Sequence, residues 1–239
     1  MESINNFSNF IKNVEITKKG NTVKFTIQPI PKDRYDEAAD HMCKFFLADE
    51  PLCECENLVD DSESVEEFRS LFLKALEDNL SIAAFFENPK GGKPIIAGMN
   101  VLFLGGKGER VDFSNTICKS KKVARVMEIM GMLSEGVDVE KIYGCKNYLG
   151  CFGLSVDPSF RGNSLGYHLL AARNEVGRWN NISATYTVFT SPISTKLGID
   201  AGFEVLSTTL RHQIVDENGE LLTPKCKTEI FRCMGMRLV

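Results

Sequence analysis

The stretch VDPSFRGNSLGYHLL, Val156 to Leu170, constrains the fold more than any other part of the chain. The apolar, β-rich run YLGCFGLSV (Tyr148–Val156) leads into it and reads as a buried central strand. Asp157-Pro158 then turns the chain, and Leu165, Leu169, Ala172 and Val176 give the next segment one apolar helical face. A helix start carries unpaired backbone N–H groups and the positive end of the helix dipole. The loop Arg161-Gly162-Asn163-Ser164-Leu165-Gly166 in front of it is suited to wrap an anion, a pyrophosphate being the natural guest. Glycine lets the backbone approach closely and Arg161 adds charge. The same residues fit a plain strand-to-helix connection equally well. The dinucleotide fingerprint G-x-G-x-x-G is absent from this region.

Around this stretch the periodicities alternate. Residues 1–20 are polar and weakly patterned and are expected as a flexible N-terminal arm, with 21–239 forming a single domain. TVKFTIQPI (Thr22–Ile30) alternates as a strand. Tyr35, Ala38, Ala39, Met42 and Phe46 mark a helix that should stop before Pro51. Val65, Phe68, Phe72, Ala75 and Leu76 mark a second helix, with Ser62 or Ser64 available as its cap. SIAAFFE and PIIAGMNVLFL flank a Pro/Gly turn as a hairpin, and the GGKGER that follows lacks the spacing of a phosphate loop and reads as an ordinary one. Val123, Val126, Met127, Met130 and Leu133 mark a third helix, whose methionines read as core. SATYTVF is another strand. SPISTKLGIDAG is a helix capped by Ser191, with Pro192 at its first position and Gly202 at its end. FEVLSTTLRH and KTEIFRCMGM are closing strands. The order predicts an α/β protein with one sheet covered by helices.

Composition excludes several classes. The net charge is −4, against the basic surface that nucleic-acid binding favours, and the Lys119–Lys122 cluster reads as the solvated start of a helix. No run of about 18 apolar residues predicts a membrane span. MESINNFSNF lacks the basic and apolar regions of a signal peptide, so a cytoplasmic location is expected and the eight cysteines read as free thiols. His41, His168 and His212 share no metal-like spacing, and Cys53-Glu54-Cys55 fits no common zinc site, so no metal is expected.

LSVDPSFRGNSLG resembles the acetyl-CoA loop of the GNAT superfamily of N-acetyltransferases, Arg/Gln-x-x-Gly-x-Gly/Ala after a strand ending in a V-x-P turn. It keeps Arg161 and Gly166 and departs at Ser164, where the family usually has glycine. ISTKLGIDAGFEVL resembles the family's late helix and the strand that follows. FFLADEPLCECENL (Phe45–Leu58) resembles the Asp-Glu-Pro-Leu signature of insect-type arylalkylamine N-acetyltransferases, and with FTSPIS the resemblance covers roughly Thr22 to Leu238.

The resemblance implies a GNAT fold: a single mixed, mostly antiparallel sheet, splayed at the acetyl-CoA strand and flanked by helices. It implies acetyl-CoA as co-substrate, its pantetheine arm pairing with the backbone of Leu154, Ser155 and Val156, and its pyrophosphate held by Arg161, Gly162, Asn163, Ser164, Leu165 and Gly166. It implies acetyl transfer to the primary amine of a small arylalkylamine by direct attack in a ternary complex. Such transfer needs a neutral amine, hence a base. The resemblance assigns that role, through water, to Glu50, with Asp49 as the neighbouring carboxylate. The wider family's leaving-group tyrosine aligns with Gly198, so that acid is absent. The hydroxyls Thr190, Ser191 and Ser194 match the insect-type region, with Ser194 the leading choice. Phe45, Phe46 and Tyr143 are candidates to line an aromatic pocket. His41 and His168 read as structural, and Cys145 and Cys151 as core. Polyamines, other small bases and a protein N-terminus stay open as acceptors, Glu54 and Glu56 being the acids that would favour a polycation. A silent acyl-CoA-binding sensor is the alternative of another class. No membrane or nucleic-acid partner is expected, and a monomer is the simplest assembly.

Overall fold

The computed structural model describes residues 10–18, 21–107 and 118–238. In chain order the elements are β1 (Lys12–Lys18), β2 (Asn21–Pro29), α1 (Tyr35–His41), a π-helical turn over Met42–Phe46, α2 (Leu47–Asp49), α3 (Pro51–Cys55), α4 (Ser62–Leu76), β3 (Ile82–Phe86) and β4 (Ile95–Gly106). There follow α5 (Lys121–Ser134), α6 (Val139–Tyr143), β5 (Asn147–Val156), α7 (Leu165–Ala171), α8 (Arg173–Asn180), β6 (Ala184–Phe189), α9 (Pro192–Asp200), β7 (Glu204–Leu210) and β8 (Ile230–Arg237).

The strands form one sheet in the order β1-β2-β3-β4-β5-β6-β8-β7. Every neighbouring pair is antiparallel except β5 and β6, which run parallel and share a single pairing, Leu149 with Thr185. Beyond it the two strands part, so the sheet is splayed, as the resemblance implies. Strand β3 is covered on both faces: Ala83 and Phe85 pack with α1, α4 and α5, and Ile82 and Ala84 with α7 and α8.

Two local expectations change. Residues 12–18 lie in the stretch expected to be a loose arm, yet they pair along β2 as an edge strand. Val14 is buried, and Lys12 meets Glu175 of α8 at 2.9 Å. An edge strand needs only one apolar face, so two apolar positions among polar ones suffice. The cap of α4 is Asp61, whose carboxylate accepts from Ser64 N at 3.2 Å, while the buried Ser64 hydroxyl bonds Ser120 at 2.7 Å. The helix expected to stop before Pro51 does stop, at Asp49, but contains a π-helical turn over Met42–Phe46. Of GGKGER, residues 108–110 lie outside the described residues.

Candidate active site

The splay opens into a cavity of about 760 Å³ that reaches from the Arg161–Gly166 loop through the gap between β5 and β6 to the face under α5. Its walls come from the α2–α3 junction, α5, β5, the loop, β6 and α9.

Glu50 stands at the α2–α3 junction. Pro51 disfavours a helical conformation at the residue before it, and Glu50 is extended at φ −70°, ψ 124°. That turn makes Glu50 the N-cap of α3, its Oε2 accepting from Cys53 N at 2.7 Å. Oε1 is buried without a partner, and the residue lines the cavity. One carboxylate oxygen is thus held by backbone and the other makes no hydrogen bond. Asp49 differs: its carboxylate takes the Arg161 guanidinium. The α1–π-turn segment lies close over β5 because Gly153 has no side chain. A Cβ there would come within 2.6 Å of Met42 Cε and 3.0 Å of the Phe46 ring.

The loop begins with an Asx turn, in which Asp157 Oδ1 accepts from Ser159 N at 2.8 Å. Arg161 is anchored by Nε donating to Val156 O at 3.0 Å. Gly162 and Ser164 both have left-handed backbone, at φ +75° and +52°. For Ser164 this is strained, a conformation that glycine would take without that cost. Leu154, Ser155, Val156, Arg161, Gly162, Ser164, Leu165 and Gly166 line the cavity. Asn163 lies outside its walls: the side chain turns back, and Nδ2 donates to Phe160 O at 3.1 Å.

Thr190, Ser191 and Ser194 line the opposite wall. Ser191 and Ser194 form a capping box for α9: Ser194 N donates to Ser191 Oγ at 3.0 Å, and Ser191 N to Ser194 Oγ at 3.3 Å. The Ser194 hydroxyl donates to Ser191 O at 3.0 Å, so using its proton elsewhere requires a rotation. Position 198 has no room for a side chain, since a Cβ there would lie 2.9 Å from the Phe189 ring.

Towards α5 the lining is aromatic and sulfur-rich. Phe45 and Phe46 are part of it. Tyr143 is not: it is buried elsewhere and donates to Glu204 Oε1 at 2.8 Å. Met127 and Met130 pack against the core, as expected, and also line the cavity, as do Phe68, Tyr148, Phe152 and Tyr186. A helical stripe looks the same in sequence whether it meets a neighbour or a void. Cys151 also lines the cavity, whereas Cys145 does not. His41 stands behind Phe45, 4.8 Å between ring centroids, and burial pushes its pKa down to about 4. His168 also lies outside the walls, its pKa lowered by burial. Glu54 is paired with Lys227 at 3.0 Å, and neither it nor Glu56 lines the cavity. Arg173, which sequence reasoning missed, contributes to the cavity from α8. Among the described residues no cluster of three metal-ligating side chains occurs, and no helix is long and apolar enough to cross a membrane.

No protein-family model matches the chain, and no curated protein matches it by sequence. Solved structures do match by shape. A protein of the yellow fever mosquito assigned as arylalkylamine N-acetyltransferase 7 superposes with a TM-score of 0.85 at 24% identity, over 97% of each chain. Arylalkylamine N-acetyltransferase 2 of Aedes aegypti gives 0.78 at 22%, over 90% of this chain and 99% of its own. The polyamine N-acetyltransferase of Drosophila melanogaster, which forms N-acetylagmatine, gives 0.71 at 15%, over 90% and 100%. With its one splayed sheet and flanking helices, the chain has the GNAT fold, shared with insect arylalkylamine N-acetyltransferases.

Proposed function

We propose that the chain is an acetyl-CoA-dependent N-acetyltransferase that acetylates the primary amine of a small arylalkylamine. The observation that carries this reading is Glu50. Its free Oε1 belongs to the same cavity as the unpaired side of β5 and the Arg161–Gly166 loop. The loop fits a pyrophosphate. It carries an arginine, two left-handed residues, and the first turn of α7, whose leading N–H groups have no intrahelical acceptor. The backbone of residues 150–156 has no strand partner towards β6 and fits the amides of a pantetheine arm. Acetyl-CoA supplies an activated acyl group, and the protein's own residues do the rest. Glu50 takes the ammonium proton through water, which frees the amine for direct attack on the thioester carbonyl. The cavity holds the two reactants together in a ternary complex. The departing thiolate takes its proton from the α9 wall, where Ser194 is nearest in role, with Thr190 and Ser191 beside it.

The lining supports an aromatic acceptor. Phe45, Phe46, Phe68, Met127 and Met130 favour an aromatic ring over a polycation, and the acids that would favour a polyamine, Glu54 and Glu56, stand outside the walls. The test is thiol release from acetyl-CoA with arylalkylamines, polyamines and simple alkylamines, with CoA binding followed separately by calorimetry. Turnover is expected with arylalkylamines. Cofactor binding with no turnover on any amine would reject the reading in favour of a protein acceptor or a silent sensor.

A further inference from the structure

Arg173 is fully buried, yet no carboxylate meets it among the described residues. The contrast is Arg34, also buried, which grips Glu37 through two bonds of 2.6 Å. A guanidinium removed from water without an anion is costly, and burial lowers the Arg173 pKa. Its partners are Asn100 Oδ1 at 2.8 Å, Thr185 Oγ1 at 3.0 Å, Thr187 Oγ1 at 2.7 Å, the Phe203 ring at 5.3 Å and the side chain of Cys151 on β5, none of them a carboxylate. Nη2 has no acceptor at all.

The position of these partners gives the arrangement a purpose. Asn100 belongs to β4 and the two threonines to β6, so Arg173 ties together the strands on either side of β5. Thr185 is the residue at which β5 and β6 last pair, and its hydroxyl donates to Leu149 O at 2.8 Å. From the other side Asn100 Nδ2 donates to Gly153 O at 2.9 Å and approaches Cys151 Sγ at 3.0 Å. These two residues flank Phe152, the extra residue of a bulge opposite Val101 and Leu102. The guanidinium therefore sits at the closed end of the slot, where the parallel ladder would otherwise continue.

We propose that Arg173 is a positioning residue for the acyl donor: it keeps β5 and β6 apart, steadies the Phe152 bulge through Asn100, and leaves a fixed positive charge at the closed end of the slot. This rests on the transferase reading for the identity of the donor, and on the geometry alone for the wedge. A slot built this way favours a donor whose reacting end is polar and gains negative charge during transfer.

The test compares wild type with Arg173→Met and Arg173→Lys by thermal melting, calorimetry with CoA and acetyl-CoA, hydrogen exchange over residues 150–156, and kcat with KM. Folded R173M is expected to bind both ligands at least tenfold more weakly and to exchange more slowly over 150–156, because the ladder closes. Its kcat at saturating donor should fall about 100-fold, and R173K should recover at least tenfold of that loss. R173M that keeps CoA affinity within twofold and wild-type exchange overturns the proposal. Should R173M fail to fold, R173K decides by the same two readouts, about threefold weaker CoA binding being expected and unchanged binding and exchange overturning it. Wild type that binds no CoA would defeat the transferase reading, while the exchange comparison would still decide the wedge.

Discussion

Asp49 and Arg161, 112 positions apart in sequence, form an ion pair at the cavity, joining the turn that presents Glu50 to the loop that follows β5. Both side chains are about half exposed, so the pair contributes at most about 1 kcal/mol to stability. Its importance is in orientation. Arg161→Ala should weaken CoA binding about 10- to 100-fold, the loss of a charge-assisted bond to phosphate, with the melting temperature lowered by about 4 °C at most. Calorimetry and a melt check both. Asp49→Asn, which leaves Arg161 in place, should keep CoA affinity within about threefold.

In the proposed mechanism Glu50 combines two jobs, capping α3 and serving as base, and substitutions separate them. Glu50→Gln keeps an acceptor for Cys53 N and removes the base, so kcat/KM should fall about 100-fold or more while the melt stays near wild type. Glu50→Ala loses the cap as well and should cost about 1 kcal/mol further in stability. Asp49→Asn falling as far as Glu50→Gln, with CoA binding intact, would reassign the base.

Ser164→Gly should stabilise the chain. Its φ of +52° costs a serine about 1 kcal/mol that glycine does not incur. Its side chain makes no capping bond, so only the greater freedom of glycine in the unfolded chain is set against that gain. The expected result is a melting temperature raised by about 2–4 °C with CoA affinity unchanged or improved.

In the α9 capping box, Ser191→Ala removes the hydroxyl that receives Ser194 N and should cost about 1 kcal/mol in urea unfolding. Ser194→Ala should cost less stability but lower kcat about tenfold.

His41 predicts an acid-sensitive fold. Burial holds its folded pKa near 4 against the attraction of Asp157 and Glu37, while the unfolded value stays near 6.5. The imidazole is therefore neutral in the native state, and acid adds its proton first to the unfolded chain. This loss of stability begins as pH falls below about 6.5 and is complete near 4, amounting to about 2 kcal/mol at pH 5. Urea unfolding at pH 7.5 and pH 5 measures it, and His41→Leu should flatten the difference.

Local order was legible in the sequence wherever it depends on neighbours along the chain. Pro51 after Glu50, Pro192 after Ser191 and the Arg161–Gly166 loop between strand and helix are all short-range statements, and these elements stand where the residues place them. The edge strand at Lys12–Lys18 was missed because its pattern is too sparse to stand out without its partner β2. The capping choice of Asp61 over Ser62 or Ser64 was missed because neighbouring cap formers compete on equal terms until packing buries one of them.

What the sequence by itself determined is the succession of strands and helices, the anion-suited loop and the carboxylate set before a proline. Only the tertiary structure decided which apolar stripes meet a void, as Met127 and Met130 do, and which carboxylate stays free once Asp49 is drawn to Arg161. Only the tertiary structure placed Arg173, an unremarked position on a helix, between strands β4 and β6. The physical reason is that periodicity records which face of an element avoids water. It does not record what lies opposite, because pairings across a hundred residues are set by the closure of the whole sheet.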